Sequence, residues 1–428
     1  MQDSRDTQPF QVTKVWARNF RSIAETSVEL DRLTVLVGPN ASGKSNVLDV
    51  LRFIEDALRF DLEAAISPRH GPEAIQRQAK EGQSSEIELG LTVIERGRLG
   101  SYTLDYGFVL AIDDDGGFRV RQERVLVQPN SLERSFEFRL EDGNPFYPDS
   151  SSSTDNGLWF GPSEGHRDFD TSELWLLRTI RAGMRRGGGK WSGRADTPYQ
   201  ISRSLDRFHA RMRQSRFYHI FPNILREPRR VGDANILAED ASNLASVLRA
   251  MQRQEDGRFS QFEESLSLLV PGVTGLNVDS AGGYLVIRLK HGSGQSGTWI
   301  DLSQESDGTV RLLGLLAALY QTRSLPLIGI EEPELTVHPG AMAQLADLLN
   351  EASRRSQVIV TTHSPDLIDC LTDYRTVESL RIVELVDGVT VVRRVADGQA
   401  EAVRKHLFSP GELHRMGELE SPREQAHE

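Results

Sequence analysis

The string Gly38-Pro39-Asn40-Ala41-Ser42-Gly43-Lys44-Ser45 has the residue types and spacing of a phosphate cradle. Its glycines let consecutive backbone N–H groups turn inward onto phosphate oxygens, and a following helix adds the positive end of its dipole. Lys44 is spaced to reach the β- and γ-phosphates, and the Ser45 hydroxyl to ligate Mg²⁺. A glycine turn before a helix is the bland alternative. The flanks favour the phosphate site: Leu33 to Val37 read as a buried strand, and Val47, Leu51, Ile54 and Leu58 share one helical face. The expected nucleotide-binding set is Gly38, Pro39, Asn40, Ala41, Ser42, Gly43, Lys44, Ser45 and Asn46.

Three further elements carry chemistry in a fixed order. Leu327-Ile328-Gly329-Ile330 reads as a buried strand that delivers Glu331-Glu332-Pro333-Glu334 at its C-terminal end. That is how a phosphate-loop sheet positions a metal-facing carboxylate and a group that orients water. A surface acidic turn is the plainer reading in a chain with 62 Asp and Glu. Ser306-Asp307-Gly308-Thr309 lies 26 residues before Glu332 and opens an apolar helix, so its backbone N–H groups can face an anion. Taken alone it is a helix N-cap. His363, 31 residues after Glu332, sits at a strand end, where a lone histidine is more often structural. Order and spacing together point to one site.

The elements around these motifs suggest an α/β chain. Val12 to Phe20 and Val28 to Leu30 are strand-like, and Glu86–Val93, Tyr102–Ile112, Phe118–Val127 and Ser135–Leu140 read as an antiparallel sheet turning at Asp113 to Gly117. Ser150 to Gly157 and Arg185 to Lys190 have loop composition, and helical periodicity, interrupted, runs from there to Gln261. The expected division is 1–145, an N-terminal lobe; 146–260, a loop-rich, helical and basic insert; 261–405, a C-terminal lobe; and 406–428, a mobile acidic tail.

At 428 residues the chain exceeds what one hydrophobic core supports. With 38% hydrophobic and 26% charged residues it is an ordinary globular composition, which excludes collagen, fibre and wholly disordered classes. One cysteine, Cys370, excludes an intrachain disulfide framework. The longest apolar run, Leu312 to Tyr320, is 9 residues, short of a membrane span. The expectation is a cytoplasmic protein with no membrane partner. Its net charge of −12 argues against coating nucleic acid with the whole surface.

One segment departs from that charge. Arg178 to Arg230 holds 14 Lys and Arg against Asp196, Asp206 and Glu227. Arg207, Arg211, Arg213 and Arg216 are interleaved with Phe208, Phe217 and Tyr218, a composition suited to phosphate contacts and base stacking. An acidic protein partner and a solvated helical face are the other two readings.

The order of motifs resembles the ABC-type ATPases of the SMC/RecF/OLD group, over roughly residues 11–60 and 235–390. Gly38–Ser45 looks like Walker A, Ser306–Thr309 like a variant ABC signature, Glu331-Glu332 like the end of Walker B, Glu334 to Pro339 like the D-loop region and His363 like the switch histidine. Arg18-Asn19-Phe20-Arg21-Ser22 resembles the group's N-terminal strand, which adds Arg21 to the nucleotide set. Ala238 to Leu244 resembles a segment of its compact members. The resemblance implies an ABC-type ATPase head with a mixed central sheet, an antiparallel β lobe and a helical insert. It implies ATP and Mg²⁺ as ligands, with Glu331 and Ser45 on the metal, and Glu332 as the base assisted by His363 and Lys44. Ser306, Asp307, Gly308 and Thr309 would face the ATP of a second copy, giving a homodimer or a higher oligomer. No room remains for a long coiled coil, and the 65 residues after His363 contain no Asp-x-Asp for a Toprim nuclease. The implied function is an ATPase that couples dimerisation to DNA binding in repair or phage-defence surveillance. The alternative is a nucleotide-controlled scaffold for a separately encoded nuclease or toxin effector.

Overall fold

An antiparallel hairpin of β1 (Phe10–Phe20) and β2 (Ile23–Glu29) opens the fold, followed by β3 (Leu33–Val37) and helix α1 (Lys44–Arg59). The computed structural model describes residues 10–77, 86–97, 100–113, 115–130, 136–142, 144–145, 172–174, 196–232, 236–254, 257–292, 297–321, 323–335, 337–371 and 377–419. The segments Ser150 to Gly157 and Arg185 to Lys190, and the chain beyond residue 419, lie outside them. The chain divides into two compact units interleaved in sequence: Met1–Asp31, Pro39–Ser215 and Val383–Val392 form one; Arg32–Gly38, Arg216–Ile382 and Arg393–Glu428 form the other. This differs from the four successive segments expected, because β3 leaves its sequence neighbours to pair with strands near the other end of the chain.

The first unit is built on a seven-stranded antiparallel sheet. With β4 (Ile87–Gly97), β5 (Gly100–Ile112), β6 (Phe118–Pro129), β7 (Phe136–Glu141) and β8 (Asn144–Pro145), its order is β2-β1-β4-β5-β6-β7-β8. The alternation that signals one buried face is there: Leu89, Leu91, Leu104, Tyr106, Phe108, Val125 and Val127 are buried. The apolar stripe of α1, namely Val47, Leu51, Ile54 and Leu58, is buried in the same unit. An aromatic chain runs through this core, with ring centroids of Phe20–Phe53 at 5.8 Å, Phe53–Phe108 at 6.3 Å, Tyr106–Phe108 at 6.1 Å and Tyr106–Phe208 at 5.6 Å. The Tyr106 hydroxyl donates to buried Glu123 at 2.9 Å, so a polar tip inside the core has its partner. Phe208 comes from α2 (Asp196–Met212).

The second unit contains most of a six-stranded sheet. It adds β9 (Arg216–Tyr218), a short β10 (Arg229–Arg230), β11 (Val273–Ala281), β12 (Tyr284–His291), β13 (Thr298–Asp301), β14 (Leu327–Glu331), β15 (Gln357–Thr362) and the start of β16 (Leu380–Val386), while most of β17 (Val389–Arg394) falls in the first unit. The large sheet has the order β17-β16-β3-β15-β14-β9, parallel from β16 to β9. β10 to β13 form a small antiparallel sheet. The parallel strands read as near-continuous apolar runs because both faces are covered. Helices α3 (Leu244–Arg253), α4 (Arg258–Leu269), α5 (Asp307–Tyr320) and α6 (Met342–Arg355) supply much of that cover, and their apolar residues join one core cluster with Val35, Ile330 and Val360.

Two expectations are corrected by the packing. The tail is folded as far as residue 419: Ser409 and Glu412 form a reciprocal capping box for the helix Pro410–Arg415, Leu413 is buried, and the Gly411 N–H donates to Asp369 at 2.6 Å. Among its described residues, the basic segment also does not expose the aromatic rings expected to stack. Phe208, Phe217 and Tyr218 are buried, and so is Arg216, because β9 is an edge of the central sheet. Arg207 is ion-paired with Glu95, whose carboxyl burial pushes up from the usual range. Arg211 is half-buried on the same helix and Arg213 is exposed.

Phe208 as a core residue makes a measurable claim. Phe208→Ala should cost about 3–5 kcal/mol of stability in denaturant unfolding, whereas Arg213→Ala should stay within about 0.5 kcal/mol of the parent.

Candidate active site

The glycine string joins β3 to α1 as its motif requires. Gly43 caps α1 in the left-handed region at φ 100°, and Ala41 lies at φ 63°. No side chain caps this end of α1 and its first turn has no acidic residue, so the helix dipole is left to act on whatever approaches the loop. Lys44 Nζ donates to the Pro39 carbonyl at 2.9 Å, which places the ammonium back over the loop. Ser45 is exposed in the first turn. Ser42 is buried and its Oγ has no hydrogen-bond partner among the described residues.

A side chain absent from the sequence reading closes around this loop. Thr390, on β17, is fully buried. Its Oγ1 donates to the Ser42 carbonyl at 3.1 Å and lies 2.6 Å from Ser22 Oγ, which accepts from Asn46 Nδ2 at 2.6 Å. A Cβ at Gly43 would stand 1.9 Å from Thr390 Oγ1, so that position needs glycine for space as well as for φ. Arg21, in the β1–β2 turn at φ 50°, pairs with Asp49 of α1 at 3.0 Å, and Arg69 pairs with the same carboxylate at 2.7 Å. Arg21 therefore fastens the turn to the helix. Gln122 donates to Glu141 across β6 and β7 at 3.1 Å.

In the second unit, three parallel strands end side by side. Val37 of β3 is in register with Thr362 of β15, and Thr361 with Glu331 of β14. The next residues are Gly38, His363 and Glu332. Adjacent strands lie ~4.8 Å apart, so the β3 and β14 ends are separated by about 10 Å. Ligands of parallel sheets bind outside such carboxyl ends.

Glu332 is held in several ways. Its backbone is left-handed at φ 44°, its N–H donates to the Thr361 carbonyl at 3.0 Å, and its Oε1 is 3.2 Å from His363 Nδ1. A non-glycine residue in this region costs ~1–3 kcal/mol and persists only when its surroundings over-determine it. Arg311 of α5 contributes to that, with Nη2 donating to the carbonyls of Glu331 at 3.2 Å and Glu332 at 3.3 Å. Burial lowers the Arg311 pKa, while Glu332, Glu334 and Glu331 pull it upward. Arg311 sits one turn after Ser306, so the helix opened by the signature string braces the acidic strand end. Sequence offered little sign of it: a lone arginine on an apolar helix.

Glu334 is buried beside them. Its Oε1 accepts from the Thr362 hydroxyl at 2.5 Å and from the His363 N–H at 3.4 Å, and Oε2 has no hydrogen-bond partner among the described residues. Burial pushes its carboxyl above the ordinary value, more than these bonds pull it down. At the signature string, Ser306 caps α5, with Oγ accepting from the Thr309 N–H at 3.1 Å. Ser306 and Asp307 are exposed, and Arg226 Nη1 stands 2.5 Å from the Asp307 carboxylate, neutralising charge at the helix N-terminus.

A family described as "AAA domain, putative AbiEii toxin, Type IV TA system" matches residues 33–369. The chain belongs to this family. The match starts at β3 and ends beyond His363, so it takes in all four motifs, and it agrees with the resemblance to ABC-type ATPases of the SMC/RecF/OLD group. No curated protein matches the chain. Among solved structures, an SMC head domain from Thermotoga maritima is similar at 16% identity, covering 90% of this chain and 99% of that one, with a TM-score of 0.41. The Smc head domain with an extended coiled coil bound to the C-terminal domain of ScpA, from Pyrococcus furiosus, is 14% identical, with 93% and 99% covered and a TM-score of 0.49. Similarity this distant carries no argument about function, which rests on the family and the site.

The raised Glu334 pKa has a sign that can be read in solution. The folded state holds this proton more tightly than the unfolded chain. The corresponding stability is complete below the ordinary value of about 4.3 and is lost as pH rises through the folded value. Glu334→Gln cannot ionise, so its melting temperature should gain on the parent as pH rises above about 4.3. A constant offset across that range would contradict the assignment.

Proposed function

We propose that this AAA-family protein binds ATP with Mg²⁺ on Gly38–Asn46 and hydrolyses it with Glu332 as general base. The observation that carries the reading is Glu332 itself, held at a strand end in a strained backbone with its carboxylate on His363 and its main chain on Thr361 and Arg311. Such strain and bracing have no structural need in a surface acidic turn, and they fix a carboxylate for a task.

In this mechanism the loop amides, Lys44 and the α1 dipole hold and neutralise the phosphates, so most of the rate enhancement is positioning and electrostatic stabilisation. Glu332 orients the attacking water and accepts its proton, and His363 keeps the carboxylate in place through Nδ1. The donor set suits Mg²⁺: a carboxylate at Glu331 and a hydroxyl at Ser45 are hard oxygen ligands, and this ion binds through one or two carboxylates plus phosphate oxygens. When bound, it would supply charge neutralisation across the phosphate oxygens. Glu331 and Ser45 would hold it.

Exposed Ser306 and Asp307, with half-buried Gly308 beside them, support a pair of copies that each present this helix end to the partner's γ-phosphate. Arg226, by neutralising Asp307, removes the repulsion that an acidic residue would otherwise bring to that contact. Coupling to DNA, in repair or defence surveillance, draws less support than the charge count suggests, because Arg207 and Arg216 are committed within the fold. A second reading is favoured by the family's own description, which places members in a toxin–antitoxin context. In it, nucleotide state controls an effector encoded separately.

Glu332→Gln should slow ATP turnover by ~10²–10⁴-fold while leaving ATP binding intact. Turnover near the parent's would refute the base assignment. Arg213→Glu tests the nucleic-acid reading: weaker DNA binding with a shallower salt slope is expected if DNA is gripped there, and unchanged affinity and slope would leave the effector reading.

A further inference from the structure

We infer that Thr390 is a positioning residue for the phosphate loop, acting through a one-way chain of hydrogen bonds that aims the Gly43 N–H. The inference rests on Gly38–Ser45 being the phosphate cradle.

Each hydroxyl in the chain has one proton to give. The Thr390 hydroxyl gives its proton to the Ser42 carbonyl at 3.1 Å, so in its 2.6 Å contact with Ser22 it accepts. Ser22 therefore donates to Thr390 and accepts from Asn46 Nδ2 at 2.6 Å. The polarity of the whole relay is fixed from Asn46 through Ser22 and Thr390 to the loop carbonyl. It ties the β1–β2 turn, the first turn of α1 and β17 to a single peptide group.

That peptide group matters because it is planar and trans, so its C=O and N–H point in opposite directions. Drawing the Ser42 carbonyl toward Thr390 turns the Gly43 N–H to the other side, away from β17. The peptide joins Ser42 to Gly43, whose left-handed φ of 100° glycine adopts at no steric cost, so its direction is set by the contacts it makes. Thr390 holds it in two ways, by the hydrogen bond and by filling the space where a Gly43 side chain would stand. Its own place is set by the hairpin between β16 and β17, whose two-residue turn Asp387-Gly388 has φ of 51° and 76°, a tight turn that fixes register. A residue of the chain's last tenth thus orients a donor of its first tenth.

The test is calorimetric binding of ATP and ADP to the full chain, with Thr390→Val, Thr390→Ser, Ser22→Ala and the Ser22→Ala/Thr390→Val double variant. Thr390→Val should weaken both nucleotides roughly tenfold or more, as expected for a lost donor orientation toward a charged oxygen, and Thr390→Ser should restore affinity to within about threefold. Ser22→Ala should weaken binding by a smaller factor. The double variant should be no weaker than about the Thr390→Val variant, because groups in one relay are not additive. The unliganded melting temperature reports folding, and if Thr390→Val fails to fold, the Ser22→Ala and Thr390→Ser pair reads the same relay. Parent-like affinity in Thr390→Val, or equal losses in Thr390→Val and Thr390→Ser, would overturn the inference while leaving the cradle in place. Absence of ATP binding by the parent would overturn both.

Discussion

The placing of Gly38, Glu332 and His363 depends on the parallel pairing of β3, β15 and β14. Val35 lies opposite Val360, and Ile330 opposite the same residue from the other side, so three strands from distant parts of the chain end at one level. Their interiors are mostly apolar and buried on both faces, which drives the pairing. A slip of one residue on β14 would turn its side chains to the other face and carry Glu332 away from Thr361 and His363. The arrangement of these strand-end groups is thus a by-product of how hydrophobic strands stack.

Polar groups at these strand ends are expensive to bury, and the structure offsets that cost locally. Arg311 meets two main-chain carbonyls among three glutamates, Thr362 serves Glu334, and Thr361 receives the Glu332 N–H. Some of the left-handed non-glycine residues lie in the motifs: Asn19 and Arg21 in the Arg18–Ser22 string, Ala41 in the glycine string and Glu332 at the acidic one. Strain at such positions is sustained by surrounding contacts that leave no lower alternative, which is how a fold pre-organises groups for chemistry.

The arginines tell a different story from their number. Arg207 meets Glu95, Arg69 meets Asp49 and Asp56, and Arg216 is buried in β9. In an acidic chain, a basic segment can be spent on internal pairing, and composition by itself does not separate that from a surface that binds phosphate. Phe208, Phe217 and Tyr218 look like stacking residues by spacing, yet they are core.

Sequence alone determined the motifs and most elements, because these depend on short-range chemistry. The glycine string with its lysine, the strand Leu33–Val37, the stripe of α1 and the acidic strand end are all encoded within a few residues, and the strands from Ile87 to Glu141 carry a period-two pattern. The tail was expected to be mobile, and the capping box Ser409-Pro410-Gly411-Glu412 was the signal that pointed the other way. Tertiary structure decided the rest. β9 is three residues long, too short for any period, and its burial exists only because β14 offers an open edge. Arg311 and Thr390 have no motif; their roles arise from packing against Glu332 and Gly43, partners chosen by the path of the chain. Local pattern specifies what each segment can be, whereas the long-range pairing of apolar strands settles which side chains meet.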